Sequence, residues 1–238
     1  MYQPRFYREQ FKNDLIKKNI CYKDTDLMIM APIIKNDILY TTIRHLRGVL
    51  DNYIKDNPLF LKSMVPLNID KYAPGIVKEM IEMSAAAGVG PMAAVAGVFA
   101  EKVGKKVLED TDQVIVENGG DIFLKVKDGC KIGIFPGKDS PFNNKLTVKI
   151  EAVDTPLGIC TSSGVMGPSY SEGSADIVTI FSHSTVLADA VATAAANRIN
   201  SKKDVKNAVD WARQIEGVMG LIIIKDDNIG IWGNVELV

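Results

Sequence analysis

Between Gln113 and Val153 the apolar residues recur at every second position, and this change of period constrains the fold more than any other feature of the chain. QVIVEN, DIFLKV, KIGIFP and LTVKIEAV read as successive strands joined by Gly-rich or charged turns. Before them the spacing is helical. Ile38, Ile43, Leu46 and Leu50, with Tyr53 or Ile54, line one face of a helix from Asn36 to about Asp56. Two more helices are predicted over roughly 74–87 and 91–108, the second opening on Pro91 at a first-turn position. Residues 1–31, YQPRFYREQF and then NICYKDTDLMIMA, alternate like strands. Beyond the period-two block, TPLGICTSSGVMGPSYS reads as an uncharged loop and ADIVTIF as a strand. Helices follow over about 184–199 and 202–214, and GLIIIK with IGIWGNVEL forms a closing strand pair. Helices and antiparallel strands therefore fall in separate blocks, which predicts an α+β fold, an antiparallel sheet with packed helices, over a doubly wound one.

With 238 residues, 47% of them hydrophobic and 24% charged, the chain can bury a large core, and no repeat or linker divides it. One compact domain is expected, with strands and a long helix in 1–70 and the remaining motifs in 71–238. The charge balance, 28 − 29 = −1, leaves no basic footprint for nucleic acid and no polybasic membrane patch. Cys21, Cys130 and Cys160 are too few and too scattered for a disulfide framework or a metal knuckle. A reduced, cytoplasmic protein is the simplest expectation, and the charged N-terminus has no secretory h-region. Met83–Ala100 is free of charge and nearly long enough to span a bilayer. Three glycines and Pro91 interrupt it, so a buried helix pair is expected there and no membrane span.

Several short motifs carry candidate chemistry, each with a plainer explanation beside it. GIFPGKDS (133–140) fails as a phosphate loop, because three residues stand where four are needed and Asp139 replaces the metal-binding hydroxyl. His45 and His183 are the only histidines; Ser162 or Ser163 with His183 could form a hydrolase pair, but no GxSxG elbow accompanies them. Asn118-Gly119-Gly120-Asp121 is what a tight hairpin needs. The same glycines would also let a ligand approach bare backbone, with Asp121 at the mouth. Thr161, Ser162, Ser163 and Gly164, next to Cys160, offer short donors suited to a phosphate or nucleotide edge, or simply a Ser-rich loop. Asp189 and Thr193, four apart in LADAVATAAANRI, share a helix face. Their oxygens suit magnesium, which takes few protein ligands and completes its shell with phosphate and water. From Leu146 to Arg198 the only cation before the terminal Arg is Lys149, so side chains of this segment cannot neutralise a diphosphate.

In this order the motifs resemble the ApbE-like superfamily, whose characterised members are FAD:protein FMN transferases. The resemblance rests on Gly97 in AVAGVFAEKV, Glu117 to Asp121, Thr161 to Gly164 and Ala188 to Thr193, and it covers roughly 85–200. The first 70 residues look more like a cytoplasmic branch of that superfamily than like the transferases. The resemblance implies a T-fold-like ApbE-type domain with FAD across its centre and magnesium on the pyrophosphate. A threonine hydroxyl of an acceptor protein then attacks the FMN phosphorus and displaces AMP. It also implies Asp189 and Thr193 as metal ligands, with Asn118 to Asp121 and Thr161 to Gly164 as the flavin-nucleotide shell.

The chain departs from the transferase pattern in two places. Ala96 stands where the transferases carry Lys, and VMGPSYSEGS lacks their His-x-x-Asp-Pro segment. FAD is therefore expected to bind weakly or to need a partner. Two functions of different class follow: a magnesium-dependent flavin enzyme, with a nucleotide ligand and a protein acceptor, or a non-flavin small-metabolite or sulfur-metabolism protein using Cys160. Catalytic residues and any homo-oligomeric state stay open at this level. The shared-site idea requires the 118–121 turn and 158–164 to meet in space, and Asp189→Ala is expected to remove a ligand without harming the fold.

Overall fold

A computed structural model describes residues 15–138, 140–143, 146–164 and 173–238. The predicted strand in YQPRFYREQF and most of VMGPSYSEGS lie outside the described residues. Among the described residues an eight-stranded antiparallel sheet runs in the order β1 (Ile16–Tyr22), β2 (Thr25–Ala31), β3 (Val114–Asn118), β4 (Asp121–Lys125), β7 (Leu157–Ser162), β8 (Ile177–Ser182), β9 (Val218–Lys225) and β10 (Asn228–Gly233). A second, three-stranded sheet pairs β5 (Cys130–Ile134), β6 (Leu146–Ile150) and β11 (Glu236–Leu237). The helices are α1 (Asn36–Asp56), α2 (Pro58–Lys62), α3 (Gly75–Ala87), α4 (Val95–Val107), α5 (Thr185–Ala196) and α6 (Val205–Ala212).

Side-chain alternation divides the large sheet into two buried faces. Val178, Ile180, Leu221 and Ile223 face helices α3 and α5 in one core, and Leu27, Ile29, Val114, Val116 and Phe123 face α1 and α4 in an adjoining one. Their strand neighbours Met28, Ile115, Ile122, Ile159, Ile177 and Ile222 face the other way and pack on Ile132, Val148 and Ile150 of the small sheet. The molecule is thus layered as helices, large sheet and small sheet. Because both faces of its central strands are covered, β2 and β8 are buried at every position.

The α+β expectation holds, with four corrections of detail. TPLGICTSS is no loop: its core is β7, a central strand flanked by β4 and β8. The four successive period-two strands divide between two sheets, since β5 and β6 leave for the small sheet. On α1 the buried positions are Leu39, Ile43 and Leu50, while Ile38 is exposed. A short helix, α2, adds Phe60 to the core. The uncharged Met83–Ala100 stretch becomes the end of α3, a 3-10 turn at Pro91–Ala94 and the start of α4. α3 and the Pro91–Val107 segment meet at 104°, and among the described residues no single helix is long and apolar enough to cross a membrane.

Candidate functional site

The Asn118–Asp121 motif forms the two-residue turn between β3 and β4, with Asn118 paired to Asp121. Gly119 and Gly120 both have positive φ, 69° and 109°, as the favoured hairpin turns require. Glu117 Oε1 accepts the Gly120 N–H at 3.0 Å and fastens the turn. Alternation along β3 and β4 puts Asn118 and Asp121 on the helix-facing side, with Val116 and Phe123. There Asn118 Nδ2 donates to the Ala96 carbonyl at 3.1 Å, tying the turn to the first turn of α4.

β7 lies beside β4 in a register that sets Ile122 against Ile159. The backbone N–H of Thr161 donates to Asp121 Oδ1 at 3.1 Å, so the turn and the 158–164 segment meet as expected. The Thr161 hydroxyl leaves on the other face, 3.0 Å from Thr179 Oγ1. Cys160 and Ser162 point towards the helices. Among the described residues the Ser162 hydroxyl is buried with no hydrogen-bond partner, as is the Thr185 hydroxyl. Ser163 is half-buried and Gly164 exposed, and the Gly164 N–H donates to the Ala175 carbonyl.

Asp189 reaches the same place from α5. Its Oδ2 accepts the Gly97 N–H at 2.7 Å, and the Ala96 N–H also points to it, so its carboxylate closes the N-terminal turn of α4. Gly97 permits this approach. A Cβ there would stand 2.5 Å from the Thr185 carbonyl oxygen and 2.8 Å from the Asp189 Cβ. Burial pushes the Asp189 carboxyl well above its ordinary value, the negative Asp121 pushes it further, and the two N–H groups draw it back. Among the described residues no cationic side chain contributes to this shift. Thr193, one turn along α5, is half-buried on the same helix face.

Two residues change standing. Glu101, unnoticed in the sequence, is buried on α4 and accepts the Thr185 N–H at 2.7 Å, closing the N-terminus of α5. A mid-helix Glu four residues before Lys105 reads as a solvated ion pair, and that pair is present at 2.5 Å, which hid the second bond. Cys160 is fully buried and donates to the Thr185 carbonyl at 3.3 Å. Burial first, then the carboxylates of Asp121, Asp189 and Glu101, hold it as a thiol, so no activated thiolate is built here. His183 is exposed with Nδ1 2.9 Å from the Pro156 carbonyl. It follows Ser182, which pairs with Gly158 at the opposite end of β7 from Ser162, so no Ser-His pair forms.

Asp121 and Asp189 are buried carboxylates near enough to act on one another, and with the Thr193 hydroxyl they are hard oxygens of the kind magnesium takes. Among the described residues no three His, Cys, Asp or Glu side chains are placed to hold a metal by themselves. A metal here would therefore draw on Thr193, phosphate and water, as magnesium usually does.

A family model described as AbpE bacteria matches residues 8–226. A UPF0280 protein of Methanococcus maripaludis strain C5 is 35% identical over 97% of this chain and 92% of its own length. A second, from Methanocaldococcus jannaschii, is 35% identical over 93% of both chains. Among solved structures the flavin transferase ApbE from Vibrio cholerae superposes with a TM-score of 0.62 at 15% identity, covering 92% of this chain and 96% of that one. The apo flavinyl transferase ApbE of Pseudomonas stutzeri gives 0.60 at 12% identity, over 93% and 95%. At such identities the structures speak for the fold alone. The length of the family match, and relatives this similar over nearly the whole chain, establish that the chain belongs to the AbpE bacteria family.

Proposed function

We propose that the region where the 118–121 turn, the end of β7 and the facing turns of α4 and α5 meet binds a nucleotide diphosphate with magnesium. FAD is the ligand, and FMN transfer to a protein threonine is the reaction. The observation that carries the reading is Asp189: a buried carboxylate at the N-terminal turn of α4 that burial and the neighbouring Asp121 carboxylate make costly to ionise. Such a pair is costly unless a cation or a proton resolves it. When bound, magnesium would supply the positive charge that offsets the diphosphate and the growing charge on its leaving oxygen.

The chain's own residues do the rest. Asp189 and Thr193 hold the metal side of this region, while Asn118 and Asp121 fix the hairpin against α4 and β7. Gly119 and Gly120 leave bare backbone for close approach, and the unpartnered Ser162 hydroxyl, with Ser163 and Gly164, lines the nucleotide side. In the transfer, the acceptor hydroxyl oxygen bonds the FMN phosphorus and gives up its proton to water, the pyrophosphate P–O bond breaks, and AMP leaves with the bridging oxygen.

Ala96 leaves the phosphates without a lysine, which lowers FAD affinity by roughly ten- to hundredfold for a charged contact of about 1.5–3 kcal/mol. FAD fluorescence titration tests this. Binding should require magnesium, and Ala96→Lys should tighten it by roughly tenfold. Release of AMP should appear only when a threonine-bearing acceptor is added. FAD binding indifferent to magnesium would refute the reading.

A further inference from the structure

We infer that Glu101 is a positioning residue for Asp189: it fixes the first turn of α5 against α4 and thereby sets where the Asp189 carboxylate stands. The inference deepens the ligand-site reading above and rests on it for its functional half. Its structural half stands on the geometry alone.

The two helices run antiparallel at this contact, with Gly97 opposite Asp189 and Glu101 opposite Thr185. Each helix closes the other's N-terminus. Asp189, one turn into α5, takes the Gly97 N–H of α4 at 2.7 Å, and Glu101, one turn beyond Gly97, takes the Thr185 N–H of α5 at 2.7 Å. Ser184 satisfies a second N–H at the start of α5, accepting from Leu187 at 3.2 Å. The four residues make a closed loop of two helical turns and two carboxylate bonds. No side chain fills the gap between the backbones at Gly97, since even a Cβ would lie 2.5 Å from the Thr185 carbonyl oxygen.

A carboxylate at 2% exposure is costly to bury, and an apolar residue would fill the space between helix and sheet more cheaply. What an apolar residue cannot do is accept the Thr185 N–H. Without that acceptor, α5 can slide on α4, and Asp189 slides with it. Displacement of a ligand group by about 1 Å is enough to impair a site of this kind. The second Glu101 oxygen is held by Lys105 at 2.5 Å, which orients the carboxylate.

Two conservative variants separate reach from charge. Glu101→Asp keeps the charge but is one methylene short of Thr185; Glu101→Gln keeps the reach and an acceptor oxygen. The readout is amide hydrogen exchange in the ligand-free protein at Gly97, with Ile222 in β9 as a reference for global opening. Glu101→Asp should speed exchange at Gly97 by roughly tenfold over any change at Ile222, and Glu101→Gln should stay within about threefold of wild type. Exchange at Gly97 that is unchanged in Glu101→Asp, or that rises only in step with Ile222, overturns the inference. For the functional half, calorimetry with ADP and magnesium should show about tenfold weaker binding in Glu101→Asp and recovery in Glu101→Gln. In an Asp189→Asn background, Glu101→Asp should add no further loss, because it acts through Asp189. An additive loss would contradict that route. Wild-type protein that binds no ADP with magnesium would remove the ligand reading while the Gly97 amide still decides the positioning role.

Discussion

Burial and the neighbouring Asp121 charge hold the Asp189 carboxyl above its unfolded value, while the Gly97 and Ala96 N–H groups work against them. A group whose folded pKa is raised contributes stability that is fully present below the unfolded value and is lost as pH rises through the folded one. In EDTA, wild-type protein should therefore gain stability relative to Asp189→Asn as pH falls from about 8 to 5, and added magnesium should flatten that difference. Urea midpoints of the two proteins across that range check it; a wild-type advantage that grows with pH would contradict the account. Asn is the informative substitution, because Ala would also strip two N–H groups of their acceptor, at about 1–3 kcal/mol. This bears on the expectation that Asp189→Ala leaves the fold intact. Helix spacing pointed to Asp189 and Thr193, but it could not reveal the bond from Asp189 to Gly97, which lies 92 residues away in sequence. Glu101 was hidden for the same reason: its telling partner, Thr185, is 84 residues distant, while its visible partner, Lys105, is local.

Elements were legible where their chemistry is local. The 118–121 hairpin could be placed because two consecutive glycines between alternating runs determine a turn by themselves. β7 could not, because Gly158, Cys160, Thr161 and Ser162 lack the branched apolar signature of a strand, and only pairing with β4 and β8 makes them one. Separation of β5 and β6 from β3 and β4 is likewise a matter of long-range pairing, since the period-two pattern is the same in both sheets. The contact of α4 with α5 is the most exacting of these arrangements. Gly97→Ala would drive a methyl into the Thr185 carbonyl and the Asp189 Cβ, neither of which is the free end of a flexible side chain. It should cost about 1–3 kcal/mol in urea unfolding, as overpacking does, and weaken ligand binding beyond that. A neutral Gly97→Ala would mean that the two helices are not held this closely.

At the scale of the whole molecule, the small sheet completes the core on the face of the large sheet opposite the helices. Ile132, Val148 and Ile150 cover Ile122, Ile159 and Ile222 there. Ile132→Ala should therefore cost about 2–5 kcal/mol, measured by thermal or urea unfolding, even though it is remote from the candidate site. A loss well under 1 kcal/mol would show that this layer is dispensable. Sandwiching the sheet from both sides is what fixes the hairpin and β7 against the facing turns of α4 and α5. The proposed function requires that this region hold a metal-bound diphosphate through Asp189. Calorimetry with ADP, with and without magnesium, on wild type and Asp189→Asn tests it most directly. Wild-type binding should depend on magnesium and fall by at least roughly tenfold in Asp189→Asn; equal binding by both proteins in both conditions would rule the proposed function out.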